Sequence, residues 1–241
     1  MSNVVKTGVV LAGGTGSRLY PLTNDRPKPM IKLLGKPILQ WVIEWLRSNG
    51  ISNIVIGVAY CKESVINHFK DGSEFGVKIR YSVHSVEGET GEGFRLAISR
   101  YVTDDLFVAV NGDEITNFNL KDLIDYHVAN NPVATVAVAN PRSPFGVISV
   151  DQDGLVLSFD EKPLLHSLLV SIGVYLFSNR ILQYFPQMGP IEKMTFPLLA
   201  KEKLLRAYPI NGTWLTVNTM KDLELAEKVL KKRLEEGTWL M

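Results

Sequence analysis

Apolar residues along this chain follow two rhythms. TGVVLA at 7–12 and NIVIGVAY at 53–60 are short unbroken apolar runs, the pattern of strands buried on both faces. Between them, PILQWVIEWLRSNG at 37–50 places Ile38, Trp41, Val42, Trp45 and Leu46 at helical spacing and ends on Gly50, a usual helix stop. The alternation continues. A short helix is predicted in KESVINHFKDG, a strand in VKIRYSV, a helix in GEGFRLAISRYV and a strand in LFVAVNGD. A helix in NLKDLIDYHVANN and a strand in VATVAVA follow. Strand and helix alternating from residue 4 to about 139 predict an α/β fold. Its core is a doubly wound, mostly parallel, Rossmann-like sheet with helices on both faces.

Beyond residue 140 the rhythm changes. FGVISVDQDGLVLSFDEKP reads as a small β-hairpin, with strand runs on either side of Asp153-Gly154, a favoured tight-turn pair. A strand in LLVSIGVYLFS, a helix in IEKMTFPLLAKEKL and a short strand in TWLTVN come next. MKDLELAEKVLKKRLEEG closes the chain as an amphipathic helix. No repeat or linker interrupts the pattern. One domain over 1–241 is expected, with a front half (about 1–139) and a back half (about 140–241) sharing one sheet. Trp41 and Trp45 fit core positions, and the terminal TWLM is apolar enough to join an interface.

Length and composition agree with one globular unit: 241 residues, 46% of them hydrophobic. A net charge of +1 sets up no field for a nucleic-acid polymer, so anion binding must be local. Cys61 is the only cysteine, which removes a disulfide framework or a zinc cluster and favours an intracellular setting. The first apolar run is too short, and too soon broken by glycine, for a signal peptide or membrane span. A cytoplasmic protein without membrane attachment is expected.

The chemistry concentrates in LAGGTGSRLYPLTNDRPKPM, residues 11–30. Gly13, Gly14 and Gly16 follow a buried strand, where backbone N–H groups can approach phosphates closely. A Walker-type loop would end in Gly-Lys-Ser/Thr, but here Gly16 is followed by Ser17 and Arg18. A dinucleotide fingerprint would need glycine at Leu19. A purely structural turn explains the glycines, yet leaves Arg18, Lys28 and the prolines around Lys28 unaccounted for.

The same stretch resembles the signature of the sugar-phosphate nucleotidyltransferases (NDP-sugar pyrophosphorylases): Gly-Gly-x-Gly-Ser/Thr-Arg-Leu-x-Pro-Leu-Thr, then Pro-Lys-Pro-Met. The resemblance continues through KPILQWVIEWL, VNGDEI, FGVISVDQDGLVLSFDEKP, SIGVYLF and TWLTVNTMKDLELAE, and so covers nearly the whole chain. It implies a short single-domain form, without the carboxyl-terminal left-handed β-helix of longer relatives. The implied reaction joins a nucleoside triphosphate and a sugar 1-phosphate into a nucleotide sugar, releasing pyrophosphate. The implied type is guanylyl-, uridylyl- or thymidylyltransferase.

The resemblance also assigns roles. Arg18 would hold the β- and γ-phosphates and Lys28 the α-phosphate, as the catalytic pair. Leu11, Ala12, Gly13, Gly14, Gly16, His84, Glu89, Thr90 and Gly112 would bind the nucleotide. Gly146, Glu161, Lys162, Ser171 and Gly173 would bind the sugar phosphate. Asp113 would carry Mg²⁺. No general base is needed, because the attacking phosphate oxygen is already largely ionised, with a second pKa of about 6. The four histidines show no nucleophile–base arrangement.

Three departures stand out. Relatives read Trp-x-Asp-x-Gly/Asn-Thr near the C-terminus; here Thr216 takes the place of the second metal carboxylate, and Asn218 is no obvious replacement. Glu89-Thr90-Gly91-Glu92-Gly93 differs from the usual Gly-Thr-Ala/Gly-Gly, and His84 sits where Gln or Glu often reads the base; the Glu-Thr-Gly part resembles the short bacterial uridylyltransferases acting on amino-sugar phosphates, which does not by itself assign the base. Ser171 replaces an Asn common before the sugar-contacting glycine. A working enzyme with loose metal binding is expected. Thr216→Asp should then tighten Mg²⁺ or raise turnover; a magnesium titration of activity that moves neither quantity would refute this account of position 216.

Overall fold

The computed structural model describes residues 5–239. In chain order the strands are β1 (Thr7–Leu11), β2 (Lys32–Leu33), β3 (Lys36–Pro37), β4 (Asn53–Val58), β5 (Lys78–Val83), β6 (Leu106–Asn111) and β7 (Glu114–Thr116). They continue with β8 (Ala134–Ala139), β9 (Val147–Val150), β10 (Val156–Asp160), β11 (Val170–Ser178), β12 (Leu205–Pro209) and β13 (Trp214–Thr216). The helices are α1 (Ile38–Ser48), α2 (Lys62–Phe69), α3 (Glu89–Tyr101), α4 (Leu120–Asn130), α5 (Thr195–Lys201) and α6 (Met220–Glu235).

Seven strands form one sheet in the order β12-β8-β11-β6-β1-β4-β5. β1 runs parallel to both β4 and β6, β4 to β5, and β8 to β12, whereas β11 is antiparallel to both its neighbours. The chain winds outward from β1 to β4 and β5, then returns to place β6 on the other side of β1. That reversal opens a crevice beyond the carboxyl ends of β1 and β6, the usual ligand position in such sheets.

Strand alternation separates two cores. Val10 packs with Val42, Trp45 and Leu46 of α1 and with Leu120 and Leu123 of α4. Val9, on the opposite face, joins Phe94 of α3, Phe196 of α5 and Phe177 of β11. A third cluster gathers Leu19, Ile31 and Leu33 from the glycine-loop region with Ala226 and Leu230 of α6. Trp239 is buried there, edge-on to Trp41 with ring centroids 6.4 Å apart. The tail thus closes a core; its last two residues lie outside the described part.

Four details differ from the sequence reading. β12 was not predicted, because Arg206 and Pro209 interrupt its apolar run and its position at the sheet edge leaves the proline tolerable. The short pairs β2–β3 and β7–β13 were not all foreseen either. The helix in 191–204 occupies only Thr195–Lys201. The β9–β10 hairpin does not turn on a two-residue loop at Asp153-Gly154. Val150 pairs with Val156 around a five-residue loop, in which the Asp151 carboxylate accepts from the backbone N–H of Asp153 and Leu155.

His127 lies on the inner face of α4, its Nδ1 2.8 Å from Thr135 Oγ1 on β8. Burial, helped by the Arg180 charge, pushes its pKa down to about 4. An unfolded chain takes up this proton near pH 6.5, whereas the folded chain resists it until about 4. Stability contributed by neutral His127 is therefore complete above about 6.5 and is lost as pH falls toward 4. Urea midpoints measured between pH 7.5 and 4.5 should fall less steeply in His127→Gln than in the parent.

Candidate functional site

A cleft of about 550 Å³ lies over the crevice beside β1 and β6. Part of its floor is built by glycines, Gly13 and Gly16 among them, where a side chain would not fit. After Leu11 the chain enters the glycine loop, where a Cβ at Gly13 would sit 2.7 Å from His84 Nε2 and 2.9 Å from Ala59 Cβ. Gly16 has φ +63°, and the Thr23 hydroxyl donates to its carbonyl at 3.1 Å. The Tyr60 hydroxyl is 3.1 Å from Thr23 O and 2.8 Å from Asn24 O, tethering the far side of the loop.

Lys28 stands between Pro27 and Pro29, whose rings restrict the backbone that presents it. Its ammonium reaches Asp113 Oδ2 at 2.6 Å and donates to Asn218 Oδ1 at 2.9 Å. Asp113 follows β6, after Gly112, where a Cβ would lie 2.8 Å from Leu11 O. Asn218 also donates from Nδ2 to Thr216 Oγ1 at 3.1 Å. It is fixed from behind, because Asp222 Oδ2 accepts from the backbone N–H of Asn218 and Thr219 in the capping box of α6.

Glu114 adds a second carboxyl beside Asp113. Trp214 Nε1 donates to its Oε2 at 2.7 Å, and Thr216 stands opposite it in the β7–β13 pairing. Burial, reinforced by the Asp113 charge, pushes its pKa up to about 8. Two adjacent carboxyls, one of them reluctant to ionise, limit the negative charge facing the cleft.

Ten of the expected site residues line this cleft: Leu11, Gly13, Gly14, Gly16, Arg18, Lys28, His84, Glu89, Thr90 and Asp113. Ala12 and Gly112 belong to the backbone beneath it, and Ala12 is fully buried. His84 presents no open ring nitrogen: Nδ1 is 2.8 Å from Ser85 O, while Nε2 is sealed off near Gly13 and Gly93.

The residues expected to hold the sugar phosphate divide. Gly173, at φ +69°, sits against Asn111 and Glu114 under the cleft, and Ser171 Oγ accepts from its N–H at 3.3 Å. Gly146, Glu161 and Lys162 lie instead by the hairpin, outside the cleft lining. There a Cβ at Gly146 would meet Phe159, and an exposed Glu161–Lys162 ion pair spans 3.9 Å.

Asn111, Glu114, Val86 and Asn218 also line the cleft but were not among the expected site residues. Asn218 had a readable signal. Thr219-Met220-Lys221-Asp222 is a helix-start pattern, which puts the preceding residue at a fixed point just outside the helix.

A family model described as nucleotidyl transferase matches residues 7–233. The chain belongs to that family. It is 31% identical over 234 residues to a UTP–glucose-1-phosphate uridylyltransferase of Synechocystis, covering 89% of this chain and 60% of that one. A mannose-1-phosphate guanyltransferase of Candida albicans is 33% identical over 224 residues, at 89% and 62% coverage. The chain thus spans about three fifths of the length of these curated relatives. Among solved structures, HddC from Yersinia pseudotuberculosis superposes with a TM-score of 0.74 at 22% identity, over 94% of this chain and all of the other, a likeness of fold. Among the described residues no helix is long and apolar enough to cross a membrane.

Replacing Gly173 tests the floor of the cleft. An alanine Cβ there would approach Glu114 Cγ to 2.8 Å and Asn111 Nδ2 to 2.9 Å, at a left-handed φ. Gly173→Ala should cost about 1–2 kcal/mol from the backbone alone. It should lower the urea midpoint, whereas Gly154→Ala, at a positive φ in open space, should cost only the backbone part.

Proposed function

We propose that this chain is a sugar-1-phosphate nucleotidyltransferase, converting a nucleoside triphosphate and a sugar 1-phosphate into a nucleotide sugar and pyrophosphate. The observation that carries this reading is the Lys28 ammonium, held by Asp113 and Asn218 beside the glycine-rich loop and in the same cleft as Arg18. Such a site is suited to phosphates and offers no nucleophilic side chain paired with a base.

In the reaction, an ionised oxygen of the sugar phosphate attacks the α-phosphorus of the triphosphate. A new P–O bond forms there as the bond to the bridging oxygen of the β-phosphate breaks, and pyrophosphate leaves with that electron pair. No proton has to move, so the work is positioning and charge stabilisation. Lys28 supplies a point charge at the α-phosphate, on a flexible stem that can exchange Asp113 for a phosphate oxygen. Arg18, on the one-turn helix after the glycine loop, meets the leaving phosphates. Glu161 and Lys162 at the hairpin would take the sugar hydroxyls and sugar phosphate, with Gly146, Ser171 and Gly173 as close-approach positions.

The donor set beside Lys28 fits Mg²⁺. Asp113 offers a carboxylate and Asn218 an amide oxygen, and this ion commonly takes one or two carboxylates, completing its shell with phosphate oxygens and water. Asp113 and Asn218 would hold it, with Thr216 behind. When bound, the ion neutralises charge on the phosphate oxygens. Among the described residues no trio of His, Cys, Asp or Glu converges on a metal position. With one cysteine, a cytoplasmic setting suits this activity.

The decisive assay measures pyrophosphate release, pairing each of four nucleoside triphosphates with glucose-, mannose- or N-acetylglucosamine 1-phosphate. At least one pair should turn over, with Lys28→Ala lowering kcat about 10²–10³-fold. Nucleotide binding without release for any pair would instead make the chain a nucleotide or nucleotide-sugar binding protein, the reading that the missing carboxylate at Thr216 favours.

A further inference from the structure

The β9–β10 hairpin is patterned for burial yet lies open. Ile148 pairs with Phe159 and Val150 with Val156 across the two strands, and alternation puts all four on one face. Gly146, two residues before Ile148, continues that face, where a Cβ would sit 2.6 Å from the Phe159 ring. Ser149 pairs with Ser158 on the other face, their hydroxyl oxygens 2.7 Å apart. An antiparallel pair with one apolar and one polar face belongs over a core. Here the four apolar side chains are between 51 and 62% exposed. Phe145 at the base, Leu155 in the turn and Leu157 between the paired positions are more exposed still. Among the described residues β9 and β10 pair with no other strand, and a lone two-stranded hairpin is marginally stable in water.

Size and charge decide what covers this face. Together the seven side chains expose roughly 700 Å², more than the largest apolar patch of a typical monomer and close to the ~800 Å² that each partner gives to a standard stable interface. The rim carries both signs. Asp151 and Asp153 stand at the turn, whereas the base holds Arg142 and Lys162 beside Asp160 and Glu161. An anionic lipid surface would meet four acids around the patch, an unfavourable approach. A second copy of the chain suits it better. Two hairpins packed face to face about a twofold axis, running in opposite directions, keep their acidic turns apart and bring each turn to the other's Arg142 and Lys162. One flat apolar face then serves both partners, and the net charge of +1 sets up little overall repulsion between them. We propose that this chain forms a twofold dimer through the apolar faces of its β9–β10 hairpins, which stack as two two-stranded layers about 10 Å apart. The proposal stands independently of the reading of the cleft.

Sedimentation equilibrium on the full chain tests this, with the parent, Ile148→Lys, Val156→Lys and Ser149→Lys measured over a range of concentrations. The parent should reach the mass of two chains at micromolar concentration. A lysine at 148 or 156 enters the interface twice, once from each copy, and should weaken the dimer at least about 30-fold. Ser149→Lys, on the polar face, should dimerise like the parent. Hydrogen exchange on the parent gives a second reading that needs no variant to fold: the amides of β9 and β10 should exchange more slowly as chain concentration rises. A parent that stays monomeric up to near-millimolar concentration overturns the proposal. So does a dimer that both apolar-face lysines leave intact, or one that Ser149→Lys disrupts equally. Hairpin amides exchanging at the same rate at every concentration overturn it too. A monomeric parent that cosediments with phosphatidylcholine vesicles would overturn it in favour of a lipid contact.

Discussion

Lys28 carries its ammonium into a corner where Asp113 and Asn218 both accept it, at 2.6 and 2.9 Å. Those three residues come from the signature loop, the end of β6 and the threshold of α6, so one cation joins the first, middle and last parts of the chain. The lysine side chain is only 11% exposed and the aspartate 25%. Removing one partner from such a half-buried pair leaves a charge without its counter-ion, which costs more than the pair contributes when intact. The corner therefore needs all three residues positioned independently: Lys28 by its prolines, Asp113 by the close passage of Gly112 over Leu11, and Asn218 by the capping box of α6.

The same logic explains which features could be read along the chain and which could not. The strand–helix alternation and the glycine loop were legible because each is local: the period of apolar residues, or a run whose backbone needs space. α1 shows this well, since all five of its predicted apolar positions are buried. β12 was hidden because an edge strand need not be apolar on both faces, and Leu-Arg-Ala-Tyr-Pro looks like a loop until β8 pairs with it. Thr216 drew attention as the odd residue in a familiar pattern, but the geometry puts Asn218 in the cleft and Thr216 behind it. Nothing in the residue types alone tells which of two side chains, two positions apart on an irregular segment, faces the ligand. Helix-start chemistry at Thr219 and Asp222 was the signal that could have decided it.

Glu114 was illegible for a different reason. Its significance depends on Trp214, a hundred residues later, and on Asp113 beside it: the indole N–H satisfies one oxygen while burial and the neighbouring charge resist ionisation. Only the β7–β13 pairing brings these groups together. Long-range pairings of this sort set the electrostatics of a site, whereas motifs report only its nearest-neighbour part.

Rigidity of the glycine loop likewise comes from a distance. Three glycines make the loop accommodating, and on entropy grounds alone it should be mobile. The residues that follow it are anchored instead: Leu19, Ile31 and Leu33 are buried against Ala226 and Leu230 of α6, with Trp239 closing over Trp41. Helix α6 thus supports the site twice, through its first turn by holding Asn218 and through its inner face by packing the loop that carries Lys28. Its outer face is strongly charged and contributes little burial, so the helix depends on that narrow apolar stripe for its place. Loss of packing at the far end of the chain would therefore be felt first at the lysine, before the central sheet is disturbed, because none of the buried residues of the third core belongs to the seven-stranded sheet.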